Sequence, residues 1–96
     1  MKLNEMAQRC LSCAIKRGKL PIPEDKRLES QKYVVLGEVA ELMRSYPAKS
    51  EHIDYNEDIE EAADVIISAL TYLALARVDV DAVIEAKMRY NEQRED

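Results

Sequence analysis

Two acidic pairs, Glu38 with Glu41 and Glu61 with Asp64, recur at a spacing of three on segments that read as successive helices. A helix turns about 100° per residue, so residues three apart project from one face about 5–6 Å from each other. Two such pairs on packed helices would gather four carboxylates around one small volume. Like charges repel strongly at that range, so the arrangement makes sense mainly with a cation among them. Oxygen-only ligation suits Mg²⁺, Mn²⁺ or Ca²⁺. A carboxylate-bridged di-iron centre would want a Glu-x-x-His pair from each of two helices. The single histidine, His52, lies outside both pairs.

A second set of residues complements the first. Lys87, Asn91 and Arg94 fall at i, i+4 and i+7 and make one cationic and amide stripe, the type that phosphate oxygens require. A solvated helix end, where Lys and Arg are favoured, is the plain alternative. The chain has no G-x-x-x-x-G-K-[ST] loop, so bound phosphates would depend on metal and isolated cations. The segment from Glu51 to Asp64 holds seven acids and no Lys or Arg. Acids near a helix start are often solvated partners of its dipole, and Glu57, Asp58 and Glu60 are read that way. Asp64 differs: it lies well inside the helix and runs directly into Val65-Ile66-Ile67, where an unpaired charge is costly.

Four helices must position these groups. The first spans about Leu3 to Arg17, with Leu3, Met6, Ala7, Cys10 and Ala14 on one stripe, and Gly18 ends it. Gly18 to Pro23 is a loop, because proline lacks the amide a helix interior needs. The second begins between Glu24 and Ser30, with either Pro23 in its first turn or Ser30 as cap, and ends before Pro47. Its core stripe is Val35, Val39, Leu42 and Tyr46, with Leu36 and Met43 alongside. The third covers about Tyr55 to Arg77, with Asp54 and Glu57 spaced as a capping box. Along it Glu57, Glu61, Asp64, Ser68 and Thr71 form a continuous polar stripe opposite Ile59, Ile66, Leu70 and Leu73. Its C-terminal half is apolar almost all round, which demands burial on several sides. Asp79 caps the fourth helix, about Val80 to Gln93. Nothing alternates with period two, so the expected class is all-α: a four-helix, bundle-like single domain over residues 1–96, its core completed by oligomerisation.

Composition supports that class. The 96 residues are 47% hydrophobic and 34% charged, with no Trp or Phe, so the core must come from aliphatics, Met and five tyrosines. So small a domain buries little apolar surface alone, which favours a homo-oligomer, dimer or tetramer. A net charge of −5 argues against a nucleic-acid polymer or an anionic membrane as partner. The longest uncharged run, Val65 to Ala76, is far short of a membrane span. The start Met-Lys-Leu-Asn-Glu-Met shows no secretory leader, and with two cysteines it leads us to expect a reducing, cytoplasmic setting.

The ordered set of residues resembles the MazG-like nucleotide pyrophosphohydrolases, an all-α superfamily that includes dimeric dUTPases and phosphoribosyl-ATP pyrophosphohydrolases. The pattern is an E-x-x-E helix, an E-x-x-D helix entering an apolar stretch, then a helix with Lys, Asn four on, and often Arg. Here it reads Leu-Gly-Glu38-Val-Ala-Glu41-Leu, Glu60-Glu61-Ala-Ala-Asp64-Val-Ile-Ile, and Lys87-Met-Arg-Tyr-Asn91-Glu-Gln-Arg94. It covers about Leu36 to Arg94. The resemblance implies that Glu38, Glu41, Glu61 and Asp64 ligate Mg²⁺, with Mn²⁺ as substitute, and that Lys87 and Asn91, with Arg94, meet phosphates. The implied reaction cleaves a nucleoside triphosphate between its α- and β-phosphates to monophosphate and pyrophosphate, as in house-cleaning of non-canonical nucleotides. A divalent ion would bridge phosphate oxygens and acidify the attacking water, with Glu38 as the proton acceptor.

Two positions depart from the pattern. Gly37 stands where many relatives carry another glutamate, which leaves the number of metals open. Ser68 stands where phosphoribosyl-ATP hydrolases tend to have histidine, which favours the nucleotide-hydrolysing branch over that alternative. A rival from another class is a non-catalytic helical oligomerisation module whose acids keep it soluble. Cys10 and Cys13 have C-x-x-C spacing, but with no second pair they read as helix packing. Lys16, Arg17 and Lys19 read as a solvated basic cluster, or as a contact for phosphates in a neighbouring subunit. Tyr33, Tyr72 and Tyr90 read as packing or interface residues, with base stacking as the alternative.

Overall fold

The computed structural model describes residues 2–20 and 24–95. Four helices account for most of them: α1 Leu3–Lys16, α2 Arg27–Arg44, α3 Glu57–Leu75 and α4 Val80–Gln93, with one 3-10 turn, Glu24–Lys26, leading into α2. No strand occurs among the described residues, only an isolated bridge between Lys49 and Asn56. The class is all-α. Gly18 ends α1 in the left-handed region (φ 65°), where a side chain would be strained, and Lys19 N–H closes the turn on the Ala14 carbonyl at 2.9 Å. The proposed roles of Pro21 and Pro23 fall outside the described residues.

The capping box at α3 does not form. Asn56 occupies the cap position and makes no side-chain cap bond, while Asp54 instead pairs with Lys49. The Glu57 amide is satisfied by the Ala48 carbonyl at 2.7 Å. A backbone partner from the preceding loop has thus replaced the expected side-chain cap. Ser30 is no cap either, since α2 starts three residues earlier.

The helices are arranged around α3. Both α1 and α2 pack along it with their backbones held apart from each other, and α4 packs on α1 and α3. The closed core is small: Ala7, Leu70, Ala74 and Val80, flanked by Leu3, Cys10, Leu11, Leu73 and Ile84. Alanines on facing surfaces of α1 and α3 allow these two helices to approach closely. The molecule is open for its size. Its radius of gyration is 14.8 Å, where a compact chain of this length has about 12.5 Å. Its accessible surface is 7485 Å², about a third more than the ~5,600 Å² of a compact monomer of this mass. Of the stripe expected to form the α2 core, only Val35 and Leu42 are half-buried; Leu36, Val39, Met43 and Tyr46 are exposed in the single chain. Ile59 and Ile66 of α3 are exposed as well.

Asn4 joins the first helix to the last. Its amide donates to Asp79 Oδ1 and Asp81 Oδ2, each at 2.9 Å, and its carbonyl accepts from the Val80 amide at 2.7 Å. Asp81 also accepts from the Leu3 amide, so an acid on α4 caps α1 from outside. Asp79 caps its own helix through Ala82 N–H at 3.2 Å, as the sequence predicts. The Asn4 bond, then that of Ala82, holds the Asp79 carboxyl below its ordinary pKa. Val80 is 1% exposed, so its amide has little access to a substitute partner. Asn4→Ala is expected to lower unfolding free energy by about 1–3 kcal/mol, measured by urea denaturation. A loss below the error of that measurement would show that α4 docks by apolar contact alone.

Candidate metal site and its adjoining cleft

Because α1 and α2 stand apart on α3, a trough is left between them with α3 as its floor. The floor is the polar stripe of α3. Ser68 and Thr71 are buried there, their hydroxyls turned back onto the Val65 and Ile67 carbonyls at 2.9 Å each. The stripe faces inward, and the isoleucines opposite it face out. The trough is a cleft of about 300 Å³, with Glu38 and Asp64 at one end.

Three of the four predicted ligands converge there. Carboxylate oxygens of Glu38, Glu61 and Asp64 lie within 4.8 Å of one another, and all three residues are half-buried. The helices bring them together by register. Glu38 comes from α2, and Glu61 and Asp64 share one face of α3. An octahedral Mg²⁺ with ligands at about 2.1 Å sets neighbouring oxygens about 3.0 Å apart and opposite ones about 4.2 Å apart. Separations of up to 4.8 Å exceed these values, so an ion bound here would draw the three side chains together. Glu41 does not join them. It is exposed and lies 3.8 Å from the Arg44 guanidinium one turn on.

The charges of the three acids are poorly compensated. None forms an ion pair with a described residue. Glu38 is pushed above the usual glutamate range by burial first, then by Asp64 and Glu41, against a small opposing pull from Lys19. Glu61 is raised by burial, then by Asp64 and Glu41. Asp64 is raised by burial and by Glu60, with Arg17 pulling the other way. A divalent ion would offset the mutual repulsion and stabilise the charged carboxylates against their burial, drawing all three pKa values back down.

The neighbouring loop is fixed by a residue that the sequence reading leaves to solvent. Glu60 accepts from Ser50 Oγ and lies 3.0 Å from His52 Nδ1, and its side chain is only 18% exposed. The bond from Ser50, more than that from His52, keeps its pKa below the ordinary value. Ser50 in turn accepts from the amides of His52 and Ile53, which closes the turn before α3. Glu60 thus anchors the loop at the charged end of the cleft.

The predicted phosphate residues are elsewhere. Lys87, Asn91 and Arg94 are exposed on α4 and line no part of the cleft; Lys87 lies 4.6 Å from the Tyr90 ring and Arg94 6.0 Å. Arg17 and Lys19, read from sequence as a solvated cluster or a phosphate contact in a neighbouring subunit, instead line the cleft of their own chain just past α1. Gln31 of α2, which the sequence reading did not single out, lies among its wall residues. Gln31 and Glu38 are seven apart, two helical turns on one face, and that spacing was the available signal. Comparisons of the chain with protein-family models, with curated proteins and with solved structures found no match.

The pKa directions give a test by stability. A carboxyl raised by folding stabilises the fold below its unfolded pKa and loses that contribution as pH rises through its folded pKa. At neutral pH the three acids therefore strain the metal-free fold. Glu38→Gln is expected to raise the melting temperature in chelator at pH 7 and to leave it nearly unchanged at pH 4. Millimolar Mg²⁺ is expected to stabilise the wild type at pH 7, and that gain to vanish as acid protonates the site. A Glu38→Gln protein that melts lower at pH 7 in chelator would contradict the uncompensated-charge account.

Proposed function

We propose that this chain is a Mg²⁺-dependent nucleoside triphosphate pyrophosphohydrolase of the MazG-like type, acting as a homo-oligomer in the cytoplasm. The observation that carries the reading is the convergence of Glu38, Glu61 and Asp64, none of them ion-paired with a described residue. Acids held together against their own repulsion are a costly arrangement unless an ion shares them. The order of the E-x-x-E, E-x-x-D and Lys-x-x-x-Asn segments then supplies the reaction class.

When bound, Mg²⁺ supplies charge neutralisation at the phosphate oxygens and acidity to the attacking water. The chain's own residues do the rest. Glu61 and Asp64 hold the ion from one face of α3. Glu38, which faces them from α2, would accept the proton from water. Glu41 would rotate away from Arg44 to add a further ligand or would tune the field from where it stands. The Lys87, Asn91 and Arg94 stripe would reach phosphates in a neighbouring subunit. The large excess of exposed surface, with Tyr33, Leu36, Met43 and Tyr46 among its apolar residues, supports assembly. No helix among the described residues is long and apolar enough to cross a membrane.

The same exposed apolar residues are what a non-catalytic assembly module would display, so activity decides. Incubation with the common nucleotides, dUTP and oxidised analogues in Mg²⁺ or Mn²⁺ is expected to release pyrophosphate and monophosphate above a chelator control. Asp64→Asn is expected to lower kcat/KM by about a hundredfold or more while helical circular dichroism stays intact. Activity within a few-fold of wild type would refute the ligand role of Asp64. No product from any nucleotide would leave the assembly module.

A further inference from the structure

The cleft has two ends of different chemistry. At one end Glu38 and Asp64 meet Arg17 and Lys19, both exposed and neither in an ion pair with a described residue. Gly18, between them, turns the chain so that both cations reach the same cleft. Acids and unpaired cations side by side are the complement of a metal bound to a polyanion: the carboxylates take the ion and the cations take the remaining phosphate charge. At the other end is Gln31, 5% exposed, whose Nε2 donates to the Ser68 carbonyl at 3.0 Å. A carbonyl can only accept, so this bond fixes the amide orientation. It leaves Oε1 an acceptor with no partner among the described residues, at the wall of the cleft. Among the described residues no buried side-chain polar atom is left unpaired, so this oxygen keeps its access through the cleft that Gln31 lines and can accept from a ligand there. Gln31 and Glu38 are separated by seven helical residues, about 10.5 Å, which is close to the reach of a nucleoside with its first phosphate.

We infer that this cleft binds a metal-chelated nucleotide within one chain, its phosphates held by Arg17 and Lys19 and its base edge met by the Gln31 amide. The inference rests on the function proposed above and moves phosphate binding from the α4 stripe to the end of α1. With Nε2 held by the Ser68 carbonyl, Oε1 is the acceptor left to meet a donor on the edge of a base. Val34 of the α2 wall and Ile67 of the α3 floor would supply apolar contact to its faces.

Calorimetric titration separates the parts. The probes are inorganic pyrophosphate and an α,β-methylene deoxynucleoside triphosphate, each with Mg²⁺, with turnover of ordinary substrate measured alongside. The Arg17→Ala, Lys19→Ala double variant is expected to bind both probes at least about tenfold more weakly and to raise KM more than it lowers kcat. Removing two charges outside the cleft, Lys2→Ala with Lys26→Ala, is expected to leave both affinities unchanged. Gln31→Met is expected to weaken the nucleotide analogue while pyrophosphate binding stays at the wild-type value. If wild type turns over but the double variant keeps wild-type pyrophosphate affinity, the inference fails and the proposed activity stands. Equal loss of both probes in a folded Gln31→Met protein overturns the base contact. Wild type that binds neither probe and releases no pyrophosphate sinks both. Should Gln31→Met fail to fold, the exposed double variant carries the test alone.

Discussion

The structure depends on one packing constraint: α1 and α2 each lie along α3 with their backbones apart. A third helix with two separated neighbours keeps a strip of its surface between them. On α3 that strip is polar, and its hydroxyls at Ser68 and Thr71 satisfy themselves on the helix's own carbonyls. Such a strip can be covered without an unpaired donor and still admit a ligand. A leucine at either position would favour closure of α1 on α2. The trough is therefore a consequence of which residues face it, and the acids at its end are held by the same register.

Electrostatics and packing pull in different directions at that end. The apolar run after Asp64 draws the acid toward partial burial, while Glu38, Glu41, Glu60 and Glu61 crowd it with like charge. The protein answers part of this with Arg17 and Lys19 at a distance and with Ser50 and His52 on Glu60. Neither cation forms an ion pair with Glu38, Glu61 or Asp64, and Glu61 has no cation among the groups acting on it.

Much of the fold was legible because the signals were local. Helix existence followed from apolar period, Gly18 stopped α1, and Asp79 capped α4. The three converging acids were legible too, since spacing along a helix fixes which side chains share a face. What escaped depended on contacts between distant segments. Asp54 was placed at the α3 cap, but the Ala48 carbonyl took that amide and Lys49 took Asp54. Glu60 read as solvated because nothing local shows that Ser50 folds back onto it. Arg17 and Lys19 read as a surface cluster because their place beside Glu38 and Asp64 is set by the angle of α1 on α3. The exposure of Met43 and Tyr46 likewise belongs to the single chain, since an apolar stripe tells that it must be covered and not by what.

The central claim is that two helices deliver three carboxylates to one divalent ion. Anomalous diffraction from crystals soaked in Mn²⁺ tests it most directly. The account requires a peak in direct contact with Glu38, Glu61 and Asp64 together, displaced by excess Mg²⁺. Crystals with these residues well ordered and no anomalous peak among them would contradict it.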